Sequence, residues 1–348
     1  MNKNTLASNA SIEFPITQAP EHGVLTEVAP GIRWLRMPLP FGLDHINLWV
    51  LDDGDAWVIV DTGLSHPQSE KIWRRLLDHE LSGRPVSRII VTHFHPDHVG
   101  LAGWLVAQTG AELVMTQTEW LWTRMLRLDH GADTMESQLE FARVAGADDA
   151  YIGREQKRGF GYHSLVKPLP AAYRQIRDGY TLDVGGRSWR VVEGRGHAPE
   201  HACLWCEAHG ILISGDQVLP KITPIVGVPM WEPDSDPLHD FLQTIERLRE
   251  LPADTLILPS HILPFTGLHT RLDELANHHR DRLAEALEAC AVPITAMTAI
   301  KALFKRELNH EHTSFALREA LAHLNYLLMR GQIVREAAAD GVCWYRAA

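Results

Sequence analysis

Short apolar runs separated by polar turns fill most of the chain. Ile32–Arg36, Ile46–Leu51 and Trp57–Val60 read as strands, with Asp52-Asp53-Gly54-Asp55 as a hairpin turn signal between the last two. Periodicity then predicts a helix over about Ser65–Leu81, a strand at Arg88–Val91, a helix over Val99–Thr109 and a strand at Glu112–Met115. The rhythm changes over residues 117–178, which are mostly helical in pattern and rich in Trp, Arg and Met. Strands return at Trp189–Val192, Ile211–Ser214 and Thr255–Leu258, followed by a helix from about His269 to Cys290. Beyond Pro293 come helices at Thr295–Leu303 and Thr313–Arg330, then short strands at Ile333–Arg335 and Cys343–Arg346 around Asp340-Gly341. That order reads as a winged helix. Strands interleaved with helices predict a layered α/β domain. The expected division is a polar N-terminal arm at 1–22, frayed over Met1–Pro20, a main domain at 23–268, and a helical linker with a winged-helix-like domain at 269–348.

The chemistry concentrates where strands end. Thr92-His93-Phe94-His95-Pro96-Asp97-His98 follows the apolar Arg88–Val91 run. In an extended segment His93 and His95 point the same way and can hold one cation, while Pro96 keeps His95 out of the helical region. Asp97 and His98 then aim at a second position. Imidazole with carboxylate suits zinc, iron or manganese rather than calcium or magnesium. Downstream, Trp189–Val192 runs into Gly194-Arg195-Gly196-His197, with His201 four residues on; Ile211–Ser214 ends in Gly215-Asp216, a carboxylate able to bridge two cations; Thr255–Leu258 ends in Pro259-Ser260-His261. The glycines flanking Arg195 are expected to let the backbone pass close to a metal.

In that order, these residues resemble the metallo-β-lactamase superfamily, whose His-x-His-x-Asp-His motif is followed by a His, an Asp and a His. The resemblance covers about residues 25–265. It implies an αββα sandwich in which His93, His95 and His197 hold one metal, Asp97, His98 and His261 the other, and Asp216 bridges them. Asp61-Thr62-Gly63, after Trp57–Val60, is similar to a family element that supports the site, so Asp61 is expected behind the ligands, and His201 with it. The tail resembles the winged-helix extension of the β-lactamase-like protein 2 group near glyoxalase II, where it implies an active-site wall or a dimer contact rather than DNA reading. The chain departs from glyoxalase II in its 117–178 insertion, its tail, and Ser260 where a Gly-His pair is common.

Two divalent ions, zinc first with iron or manganese as alternatives, imply a metal-bound hydroxide attacking an ester or thioester of the acyl-glutathione or acyl-CoA type, with Asp97 handling the proton. There is no Gly-x-Ser-x-Gly elbow. A lactonase is the close alternative, and an endoribonuclease of the same fold the alternative of another class. With 33 Lys and Arg against 44 Asp and Glu, the net charge of −11 disfavours nucleic acid. A di-iron redox protein would need a flavin domain, and a non-catalytic regulator would not need the full ligand set. No apolar run approaches a membrane span. Cys203 and Cys206 fall in a strand and face opposite ways, Cys290 and Cys343 stand alone, and with no secretory segment the chain is expected to be cytoplasmic. The expected partners are a small-molecule substrate and a second copy of the chain, with no membrane and no DNA. In the Pro-rich loop 217–237, Trp231 is a candidate pocket wall and Lys221 a candidate contact for an anionic group, with a solvated lysine the competing reading. His278, His279 and Arg280 are candidate contacts for a substrate's carboxylates or phosphates, against a merely solvated helix face. Glu119–Leu126 carries an apolar helical face, read as core packing ahead of a substrate lid.

Overall fold

The computed structural model describes residues 11–305 and 307–348. Strands β1 (Leu25–Ala29), β2 (Ile32–Pro38), β3 (His45–Asp52) and β4 (Trp57–Val60) form an antiparallel meander; α1 (Pro67–Asp78) then crosses over to β5 (Val86–Ile90), parallel to β4. Through α2 (Pro96–Val99) and α3 (Ala102–Thr109) the chain reaches β6 (Glu112–Met115), again parallel. A helical stretch follows, with α4 (Gln117–Leu128), α5 (Ala132–Val144), α6 (Asp149–Arg158) and α7 (Tyr162–Leu165), before β7 (Arg174–Gln175) completes a seven-stranded sheet in simple order. The second sheet contains β8 (Thr181–Val184), β9 (Arg187–Gly194), β10 (His201–Cys206), β11 (Ile211–Gly215) and, after α8 (Pro237–Leu248), β12 (Leu256–Pro259). Its spatial order is β12-β11-β10-β9-β8. Helices α9 (Leu268–Ala289), α10 (Ala296–Leu303) and α11 (His310–Met329) precede an antiparallel ribbon of β13 (Ile333–Ala337) and β14 (Cys343–Ala347).

The buried side chains divide as an α/β/β/α stack requires. Trp34, Trp49, Val58, Val60 and Ile90 from the first sheet meet Trp189, Val191, Leu204, Ile213 and Leu258 from the second. The outer face of the first sheet packs on Trp73 and Leu76 of α1 and Leu105 of α3. The outer face of the second packs on Phe241, Ile245 and Leu248 of α8 and Leu272 of α9. Strands covered on both faces read as continuous apolar runs, and for that reason they were visible in the sequence. Edge strands β1 and β8 were not: they are short, and β8 alternates exposed Thr181 and Asp183 with buried Leu182 and Val184. Cys203 lies in the outer cluster and Cys206 in the inter-sheet one, and all four cysteines are free. Among the described residues no helix is long and apolar enough to cross a membrane.

The N-terminal arm corrects an expectation. Its described part does not fray: Glu13 and Thr266 exchange backbone hydrogen bonds of 3.2 and 2.9 Å, and Phe14 lies 6.5 Å from Phe265. Ile12, Phe14 and Ile16 alternate along this segment and supply a face that packs on the cores. Residues 1–10 lie outside the described residues.

The tail grips the loop that follows β11. Asn325 of α11 donates 2.9 Å hydrogen bonds to the carbonyls of Pro233 and Ser235, Val228 N–H donates to Arg318 O at 3.1 Å, and Arg330 and Arg335 pair with Asp236 at 2.7 Å and Asp234 at 2.8 Å. On the same helix, burial pushes the Glu319 carboxyl up to about 7, against a smaller opposing pull from Arg282. A carboxyl raised from 4.5 in this way makes the folded state bind more protons than the unfolded one across that window, so stability falls as pH rises towards 7. Glu319→Gln is therefore expected to give a shallower decline of Tm with pH between about 5 and 8 than the unsubstituted chain. Parallel curves would contradict this.

Candidate metal centre

The carboxyl ends of β4, β5, β9, β11 and β12 open on one edge of the sandwich, and each delivers a site residue. His95 is held extended at φ −61°, ψ 144° by Pro96, which starts α2 and turns Asp97 and His98 inward. Two sets of potential ligands result: His93, His95, His197 and Asp216, and Asp97, His98 and His261, with the ligand atoms in each set all within 4.8 Å of one another. Asp216 spans both. Its Oδ1 lies 3.4 Å from the Nε2 atoms of His98 and His261, and its Oδ2 lies 3.4 Å from His197 Nε2.

Hydrogen bonds behind the imidazoles decide which nitrogen faces inward. His98 Nδ1 donates to Asp61 Oδ2 at 2.8 Å, His197 Nδ1 to Ile225 O at 2.8 Å, and His261 Nδ1 to His45 O at 2.9 Å. In the neutral ring each leaves an Nε2 lone pair directed into the site, the tautomer a metal needs. His93 Nε2 sits 2.9 Å from His95 Nδ1 and 3.2 Å from His197 Nε2. Burial, and then the neighbouring histidines, hold His93 well below its ordinary pKa; burial and then His197 do the same for His95. For His98, burial is outweighed by Asp216, Asp61 and Asp97, which hold it well above; Asp216, despite burial, is held well below by His261 and His98. His98 Nε2 and Asp216 Oδ1 are buried with no hydrogen-bond partner among the described residues. Converging lone pairs and stranded buried acceptors are costly unless a cation sits among them, so the donor set fits divalent metal.

Asp61 lies behind His98, at its Nδ1. It is buried, accepts from Thr92 N–H at 2.8 Å and the Thr92 hydroxyl at 2.9 Å, and adopts φ 60°, a conformation rare outside glycine. Asp61→Asn tolerates that backbone but no longer places a full carboxylate on His98. Metal affinity is expected to fall about 10–100-fold with the fold retained, as read by competition with a chelator. Unchanged affinity would remove Asp61 from this role. His201 is also behind the site: its Nε2 accepts from Asp216 N–H at 3.1 Å, and burial pushes it down to about 3. Gly215, at φ +52°, is required there, since a Cβ would lie 2.4 Å from the His201 ring.

Other expectations need correction. Gly196 does not clear room for a metal; a Cβ on it would strike Pro237 O and Phe241 at 2.4 Å, so the close neighbour is α8. His279 is fully buried between helices, 3.3 Å from His323 on α11, and is a packing residue rather than a substrate contact. His278 is half-buried beside it, Arg280 is exposed with Asp281 4.0 Å away, and Lys221 is exposed over the Phe14 ring at 5.0 Å. Trp231 lies edge-on to Trp122 at 5.0 Å and packs on the cluster of Phe94, Leu126 and Ala198.

Sequence reasoning missed three supports. Glu119, fully buried on α4, accepts from Phe94 N–H at 2.8 Å and Glu200 N–H at 2.7 Å, joining both histidine-bearing loops; burial, against those N–H bonds, pushes its carboxyl up to about 8. Asn47 donates to the carbonyls of Pro259 at 2.9 Å and Ile262 at 3.2 Å, and His45 Nε2 accepts from Ile262 N–H at 3.0 Å. These fix the His261 turn, where Ile262 sits at φ 73°. A lone acid in the first turn of α4, at helical spacing with Thr123 and Leu126, was the available signal for Glu119.

The chain belongs to the metallo-beta-lactamase superfamily, whose family model matches residues 41–261. A second model, metallo-beta-lactamase-like C-terminal domain, matches residues 283–348. The chain is similar to a beta-lactamase domain protein from Burkholderia ambifaria at 43% identity and TM-score 0.89, covering 97% of this chain and 98% of that one. Among curated relatives, a probable metallo-hydrolase of Bacillus subtilis (strain 168) is 24% identical over 84% of this chain and 91% of its own length. An atrochrysone carboxyl ACP thioesterase of Passalora fulva is 21% identical over 97% and 84%. The protein is a metallo-hydrolase of this superfamily.

Proposed function

We propose that the chain is a two-cation hydrolase of esters or thioesters, zinc being the first choice of metal and iron or manganese the alternatives. The observation that carries this is the pair of ligand sets joined by Asp216, with lone pairs turned inward on both sides. His93, His95 and His197 would hold one cation, Asp97, His98 and His261 the other. When bound, the cations supply Lewis acidity that polarises the acyl carbonyl and makes water nucleophilic at neutral pH. Asp97 is the residue we assign to proton handling: its side chain is 20% exposed against 11% for Asp216, so it is the more water-accessible of the two carboxylates. Water oxygen bonds to the acyl carbon, Asp97 takes the proton, the carbon–sulfur or carbon–oxygen bond breaks, and the leaving thiol or alcohol departs with a proton. The thioesterase name of the Passalora fulva relative supports the thioester branch. Lactone opening is the same chemistry on a cyclic ester. An endoribonuclease is the less favoured reading, given the net charge of −11.

We read residues 269–348 as a winged-helix-like domain that props the loop after β11 and offers a surface to a second copy of the chain, and we place the protein in the cytoplasm. The test is thiol release from acyl-glutathione and acyl-CoA thioesters, alongside homoserine lactones and oxoesters, with metal-replete protein and metal content measured in parallel. Metal-dependent thioester cleavage is expected. Lactone opening alone would select the lactonase reading, and RNA cleavage with silence on all acyl compounds would overturn both.

A further inference from the structure

Beside the ligands lies an aromatic cluster separate from the three layered cores. Phe94, between His93 and His95, and Ala198, next to His197, are buried at its base with Leu126. Trp122 and Met125 of α4, Phe160, Tyr162 and Trp231 complete it while keeping part of their surface open. The ring of Phe94 is 4.5 Å from that of His95 and 5.2 Å from Trp122, which meets Trp231 edge-on. The Glu119 carboxyl beside it is spent on the Phe94 and Glu200 N–H groups. The Tyr162 hydroxyl is already committed to Phe94 O at 2.5 Å, and the Trp231 Nε1 donor is buried with no acceptor among the described residues. Its walls are held in place: α4 is tied to both ligand loops through Glu119, Glu200 caps α4 at Thr118 N–H (2.8 Å), and Asn325 holds the Trp231 loop from the tail.

We propose that this basket receives the acyl half of the substrate and selects a bulky apolar or aromatic acyl group. Partly open aromatics continuous with a catalytic centre are the usual form of a small-molecule subsite. Glutathione and coenzyme A carry carboxylates or phosphates, which these aromatic rings would desolvate without compensation, so a thiol half of that kind stays outside. That the group is cleaved there rests on the hydrolase reading above; that it binds there does not.

The test is calorimetric binding of acyl products to the metal-replete chain, using acetate, butanoate, hexanoate, octanoate, benzoate and 1-naphthoate. Affinity is expected to rise about fourfold per methylene while chain is being buried. Trp122→Ala and Trp231→Ala are expected to flatten that rise with metal content and acetate affinity unchanged. Trp231→Phe, which keeps a ring, should retain most of it, and Trp344→Ala, on the exposed face of β14, should retain all of it. A flat series for the unsubstituted chain, or equal slopes in the tryptophan variants, overturns the basket. Length-dependent binding without hydrolysis of any ester or thioester removes the proposed reaction and keeps the basket. Hydrolysis indifferent to acyl size does the reverse.

Discussion

Asp216→Ala is expected to lose turnover to the background rate, at least about three orders of magnitude, together with its full complement of bound cations. The carboxylate faces both ligand sets, so its loss strips a donor from each side at once. His93→Ala, which removes one nitrogen from one set, should abolish turnover as well while leaving the Asp97, His98, His261 set intact. The two variants therefore separate by metal stoichiometry. Folding should survive both changes, because neither side chain fills a core cluster. The readouts are metal analysis and the rise in Tm on metal loading, which for tight binding at about 100 times Kd corresponds to about 2.7 kcal/mol. The unsubstituted protein should show that rise and Asp216→Ala should not. Retention of both metal equivalents and of turnover by either variant would sink the ligand assignment.

How much of this was legible depended on where each residue's partner lies. His93, His95, Asp97, His98, His197, Asp216 and His261 all follow apolar strands, and strand ends in a layered fold gather at one edge, so local pattern alone placed them together. Asp61 was expected at the site because Asp61-Thr62-Gly63, after β4, resembles a family element. Glu119, His45 and Asn47 were not expected there, because their partners are backbone N–H and C=O groups of loops distant in sequence, which no side-chain spacing encodes. His279 misled for the opposite reason: a His-His-Arg run on a helix looks like a charged face, yet one member of it turns into the junction with α11. The N-terminal arm misled because its apolar residues, Ile12, Phe14 and Ile16, are diluted among polar ones although they alternate.

Glu119→Ala is expected to be the most damaging single change outside the ligands. Two backbone N–H groups, of Phe94 and Glu200, would be left buried without acceptors, at roughly 1–3 kcal/mol each, so about 2–6 kcal/mol together. The effect on the metal centre should exceed that of a core substitution of similar cost. Phe94 lies between His93 and His95, and Glu200 closes the loop that carries His197, so releasing both N–H groups loosens three ligands. Glu119→Gln isolates the geometry: its amide oxygen still accepts one N–H, while its NH2 faces the other donor-to-donor. The expected order of Tm and of metal affinity is unsubstituted above Gln above Ala, with affinity falling about 10–100-fold in the weaker variant. Both should also shift KM for bulky acyl substrates, since α4 carries Trp122 and Met125 into the aromatic basket. A control at Glu140, exposed on α5 and paired with Arg143 at 3.3 Å, should change none of these quantities. Unchanged Tm and metal affinity in Glu119→Ala would mean that the two loops hold their shape without the carboxyl, and that α4 is merely packed beside the centre.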